Sequence, residues 1–222
     1  HGWLNSHHSF SFANYYNPSR MGFGALRVLN DDVVAPNRGF GKHPHNNMEI
    51  ISIPLEGELE HRDSMGTVSV IRKGEIQVMS AGSGVTHSEM NSTKDGPVKF
   101  LQIWVHPNQR NVEPRYDQIP LQDVATQNAF YQVLSPNKDD QGVWIHQDAW
   151  FHLGNFKAGK TANYTFQQVA NGAYLFVLEG EVQVNGEPLY RRDGMGSWNS
   201  DHFELQASTD AEVLVMEVPM EQ

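Results

Sequence analysis

The nine residues IISIPLEGE at 50–58 recur in kind as AYLFVLEGE at 173–181, with Leu-Glu-Gly-Glu repeated at an offset of 123 residues. In each copy an apolar run reads as a strand, and the glycine marks the turn that ends it. Gly74 and Gly194, 120 residues apart, carry the match across the next strand and turn with a small deletion. Two tandem copies of one β-fold is the economical reading, because a chance tetrapeptide would not bring its flanking strands with it.

Outward from the repeat, short apolar or alternating runs at 67–71, 76–79, 98–105, 131–134, 203–207 and 213–218 are separated by Gly, Pro, Asn and Asp. That is the pattern of β-sandwiches and barrels. Only 121–128 reads as a short helix, after Pro114 and Pro120 in a connecting stretch. The expectation is an all-β chain of two units, 1–115 and 116–222, with a linker at about 106–128.

Composition removes several function classes. Of 222 residues, 16 are Lys or Arg against 26 Asp or Glu, a formal net charge of −10, and the basic residues are scattered apart from pairs such as Arg72-Lys73 and Arg191-Arg192. Nucleic acid and anionic membrane are therefore poor partners. Cysteine is absent, so disulfides, thiolate metal sites and cysteine nucleophiles are excluded, and any metal must be held by His and carboxylate. Apolar runs such as AYLFVL at 173–178 fall far short of the ~20 residues that span a bilayer. The opening residues show no charged-then-apolar leader pattern, which sets the expectation of a cytoplasmic protein.

Most of the eleven histidines read as surface or hydrogen-bonded structural residues. Spacing singles out two pairs. His43 and His45 are two apart, as are His87 and Glu89, so on strands both members of each pair face the same way. Neighbouring strands would bring the four together. Pro44 donates no ladder hydrogen bond and belongs at a strand start or edge, while Gly82 and Gly84 suggest a tight turn leading into the second pair. Three imidazoles and one carboxylate suit Fe, Mn, Ni, Cu or Zn and leave positions open for chemistry. Glu49 reads as a supporting group rather than a ligand. His61 is either a cavity residue or a solvated hairpin residue, Phe10 and Phe12 read as packing, and the dispersed Trp3, Trp104, Trp144, Trp150 and Trp198 read as core and domain interface.

Residues 39–57 (GFGKHPHNNMEIISIPLEG) resemble the first cupin motif and residues 74–91 (GEIQVMSAGSGVTHSEMN) the second. With HSFSFANYY at 8–16 and Glu113-Pro114-Arg115-Tyr116, the chain resembles the pirin family over nearly its whole length. The resemblance implies a bicupin fold of two tandem cupin (jelly-roll-like) β-barrels, with one divalent transition metal, iron first, held by His43, His45, His87 and Glu89. The offset carries His43 and His45 onto Phe166 and Gln168, and His202 stands alone, so the second copy is expected to lack a metal. Family members include quercetin 2,3-dioxygenases, which implies a small phenolic substrate and O2, with Glu89 as ligand and catalytic base. The family also contains iron-binding transcriptional regulators, the alternative reading, against which the lack of a Lys/Arg import cluster counts. The chain is expected to act as a monomer.

Overall fold

Both copies of the repeat start as a strand of a large sheet and end as a strand of a small one. The computed structural model describes residues 2–221. Ten strands lie in the first part of the chain: β1 (Leu4–His8), β2 (Leu26–Val34), β3 (Gly39–His45), β4 (Glu49–Glu56), β5 (Glu58–Asp63), β6 (Val68–Arg72), β7 (Glu75–Ser80), β8 (Val85–Asn91), β9 (Val98–Val105) and β10 (Arg115–Pro120). Ten more follow: β11 (Phe130–Ser135), β12 (Val143–Trp144), β13 (Trp150–Phe156), β14 (Thr161–Thr165), β15 (Asn171–Glu179), β16 (Val182–Val184), β17 (Glu187–Leu189), β18 (Gly194–Ser197), β19 (His202–Ala207) and β20 (Ala211–Pro219). Among the described residues there is no α-helix, and no helix is long and apolar enough to cross a membrane.

The chain divides into two units. One comprises residues 1–22, 26–121 and 143–147; the other comprises 23–25, 122–142 and 148–222. The first holds a large sheet in the order β1-β2-β9-β4-β7-β10 and a small one in the order β3-β8-β5-β6. In the second, β11-β13-β20-β15-β18 and β14-β19-β16-β17 follow the same plan. Val34 and Phe100 from the first unit's large sheet pack against Leu59 and Ile71 from its small one. Val177, Val213 and Val215 meet Val182, Phe203 and Leu205 in the same way in the second.

The repeat is the point where each unit changes sheets. A register shift falls between Pro54 and Glu56 in the β4–β9 pairing and between Val177 and Glu179 in β15–β20, the same repeat position. Gly57 (φ 78) and Gly180 (φ 80) then turn the chain. A Cβ would lie 2.7 Å from the Pro97 carbonyl oxygen at Gly57 and 2.1 Å from that of Asp210 at Gly180. Both positions need glycine.

The helix expected over 121–128 is reduced to a single 3₁₀ turn, Leu121–Asp123. Leu121 alone in that turn is buried, and nearly all the rest of the stretch is solvent-facing, so no apolar stripe exists to hold a longer helix.

In the second unit, the buried Glu217 carboxylate accepts hydrogen bonds from the Tyr164 hydroxyl (2.7 Å), the Gln167 and Gln168 amides (2.9 and 3.0 Å) and Asn171 Nδ2 (2.9 Å). It fixes the 166–171 loop to β20. Glu217→Ala leaves these donors unpaired and should cost about 3 kcal/mol or more. Thermal or denaturant unfolding measures the loss, and a change under 1 kcal/mol would show that the loop is held by other means.

Candidate metal centre

β3 is the outer strand of its sheet and β8 lies between it and β5. Pro44 thus sits on an edge, where its missing N–H leaves no ladder bond unmade. The antiparallel register sets His43 opposite His87, and a shift between Phe40 and His43 precedes the pair. Strand alternation brings His45 to the same face. Ring centroids are 4.5 Å apart for His43–His87, 4.8 Å for His43–His45 and 4.9 Å for His45–His87. Among the described residues this trio forms a group of possible metal donors with ligand atoms within 4.8 Å of one another.

The donor chemistry fits a cation. His43 Nδ1 lies 2.7 Å from the Gly41 carbonyl oxygen; a carbonyl can only accept, so Nδ1 carries the proton and Nε2 a lone pair. That Nε2 is 2.9 Å from His87 Nε2, the separation of two neighbouring ligands at the ~2.1 Å metal–nitrogen bonds of first-row ions. Burial and then the neighbouring imidazoles push His87 down to about 2 and His45 to about 4. Neutral rings are the ligand form.

Glu89 shares the face of His87, but its carboxylate points to other partners. Oε2 accepts a 2.7 Å hydrogen bond from Gln102 Nε2, and Oε1 one of 3.4 Å from the Ser52 hydroxyl. Burial raises it to about 7, with Asp32 nearby adding to the effect. Glu49 is buried apart from the trio, bonded by the Ser80 hydroxyl at 2.6 Å.

His61 follows neither expectation. It is neither a cavity residue nor solvated but fully buried, on the inward face of β5 with Leu59. Its Nε2 is 2.7 Å from Asp63, and its ring lies between Tyr116 at 4.6 Å and His87 at 5.4 Å. The Glu113-Pro114-Arg115-Tyr116 segment therefore supports the trio from behind through Tyr116.

The trio opens on a cavity of about 500 Å³ in the first unit. Trp3, Phe12, Tyr15, Phe40 and Trp104 form its apolar walls, and Asn30, Asp32 and Gln102 lie on the large sheet. Phe10 packs as expected at 6% exposure, whereas Phe12 lines the cavity, 5.3 Å edge-on from Trp104, itself 5.1 Å from His45. Trp3 and Trp104 pack against the core, as expected, and also line the cavity. The readable signal is Asn30, Asp32 and Gln102, polar residues in register with the apolar inward positions of their strands.

β14 and β19 occupy in the second unit the places of β3 and β8. Their cross-strand pair is Tyr164 and Phe203, with rings stacked at 5.2 Å. An aromatic stack fills the space, and the exposed His202 lies at the strand start beside Asp201.

Two family models match the chain, one in each half. Residues 1–105 match the pirin family model, and residues 132–218 match that of the quercetinase C-terminal cupin domain. A relative named quercetin 2,3-dioxygenase, from Escherichia coli (strain K12), is 41% identical over 99% of this chain and 93% of its own. A pirin-like protein of Caulobacter vibrioides is 38% identical over 98% of this chain and 93% of its own. The crystal structure of the bacterial pirin YhhW from Escherichia coli in complex with nickel(II) superposes with a TM-score of 0.93 at 39% identity, covering 99% of this chain and 93% of that one.

Glu49 permits a test of how this interior handles charge. Burial pushes it from the ordinary 4.5 up to about 7, against the Ser80 hydroxyl, Arg115 and the His146 amide, which favour the ion. A raised carboxyl binds its proton more tightly in the folded state, so its contribution to stability falls as pH rises from about 4.5 through 7. Glu49→Gln removes that dependence. The melting temperature of the variant relative to wild type should therefore be more favourable at pH 8 than at pH 5, and a difference that stays flat would rule out burial as the controlling effect.

Proposed function

The chain belongs to the pirin family, and on that premise we propose that it is a metal-dependent dioxygenase that opens the heterocyclic ring of a flavonol such as quercetin with O2. The observation that carries this reading is the trio of converging imidazoles on an aromatic-walled cavity of about 500 Å³. One divalent ion per chain would be held by His43, His45 and His87; Glu89, bonded to Gln102 and Ser52, lines the same cavity and joins them only if its carboxylate turns from those partners. Imidazole-rich sites accept iron, nickel, manganese, copper and zinc, and the nickel complex of the Escherichia coli pirin supports a divalent ion here.

When bound, the ion supplies Lewis acidity to the hydroxyl oxygen of the substrate. The chain's own residues do the rest. Trp3, Phe40 and Trp104 grip a flat ring and keep water out of the cavity. Glu89 takes the phenolic proton on a carboxylate oxygen; Gln102 and Ser52 hold that carboxylate toward the cavity. A base raised to about 7 releases and accepts a proton near neutral pH, where general bases work best.

The experiment is metal analysis of the purified protein together with O2 uptake on quercetin. One equivalent of metal is expected in the wild type; His43→Ala and His87→Ala should lose most of it, and His202→Ala should keep it. Glu89→Gln should retain part of the metal while turnover falls by ~10² or more, with partial recovery at high pH as the substrate ionises in solution. Wild-type turnover by Glu89→Gln at neutral pH would remove Glu89 as base. No O2 consumption with any flavonol, on protein loaded in turn with iron, manganese, nickel and copper, would overturn the dioxygenase reading.

A further inference from the structure

The histidines lie on the small sheet of the first unit; the cavity wall on its large sheet includes β2. There Asn30 and Asp32, two residues apart and each 2% exposed, share an inward face with the apolar Val28 and Val34. The Ser6 hydroxyl of β1 donates to Asp32. Asn30 Oδ1 is buried with no hydrogen-bond partner among the described residues. Buried polar atoms are nearly always paired, and the residue that carries this one lines the cavity.

The missing partner can be described chemically. A carboxamide presents an acceptor or a donor according to which way round it lies, and a hydroxyl, which both donates and accepts, satisfies either. An anionic group is disfavoured, because Asp32 and Glu89 line the same cavity. Facing sheets are ~10 Å apart, a span suited to a rigid aromatic body, and the aromatic walls accept a flat one.

Resting on the reading of this cavity as a site for aromatic ligands, we propose that Asn30 determines specificity. Its amide binds a hydroxyl at one end of a flat ligand whose other oxygen lies at His43, His45 and His87. The cavity thereby selects aromatics with hydroxyls at both ends over those oxygenated at one end only.

Binding to the nickel(II)-loaded full chain, measured without O2 to prevent turnover, tests this with two ligand pairs. Quercetin is compared with 3-hydroxyflavone, and 4,4′-dihydroxybiphenyl with 4-hydroxybiphenyl. Wild type should favour the two-ended member by ~10-fold or more, the scale of one well-made hydrogen bond. In Asn30→Leu that ratio should fall to within about twofold, and Asn30→Ala, which adds no bulk beside β2, should do the same. A preference for the biphenyl diol that Asn30→Leu abolishes, with no flavonol bound, supports the assignment of Asn30 while sinking the flavonol reading. A ratio unchanged in both variants, or no preference for the second hydroxyl in either pair, overturns the proposal.

Discussion

Two imidazole nitrogens facing each other at 2.9 Å, from His43 and His87, set the terms for the first unit. Protonating both would place like charges in contact, so the two nitrogens share at most one proton or a cation. Each support answers that requirement. The Gly41 carbonyl fixes the proton of His43 on the outer nitrogen, β8 is held on both sides by β3 and β5, and His61 and Tyr116 back the ring of His87.

The same constraint explains a polar row across the large sheet. His8, Asn30, Gln102, Ser52, Gln77 and Gln118 stand in continuous cross-strand register. Gln102 and Ser52 bond Glu89, Gln77 reaches Ser52 at 3.4 Å, and the Tyr116 hydroxyl donates to Gln77 at 2.9 Å. In the second unit the repeat carries Ser52 onto Leu175, whose row contains Val215 and Met195. All three pack into the apolar core there. That row continues to His152 and Gln132, and β20 carries the buried Glu217, so the sheet keeps its polar groups outside this apolar centre.

Much of this was legible because it depends on short-range periodicity. A spacing of two residues fixes the face of His43, His45, His87 and Glu89 before any partner is known, and Leu-Glu-Gly-Glu marks the crossing between sheets in both units. The rest depends on pairings distant in sequence. Whether Glu89 turns to the imidazoles or to Gln102 is decided by the strand stacked opposite it, and His61 is buried where Tyr116 of the large sheet packs on its ring. The reach of Trp3 and Phe12 into the cavity follows from β1 docking on β2 across the intervening chain. Residues 121–128 have helix-like spacing but bury little, and spacing without burial does not make a helix.

Trp3, Ser6, His8, Phe12 and Tyr15 all border the cavity, so residues 3–15 form one side of it. That side is a single strand paired along one edge, closed by the Phe12–Tyr15 bridge and the Ser11–Asn17 hydrogen bonds. Edge segments open at lower free energy than the sheets they border. The chamber is therefore only as watertight as its weakest strand, and trimming or crowding that end of the chain would flood the cavity while leaving His43, His45 and His87 in place.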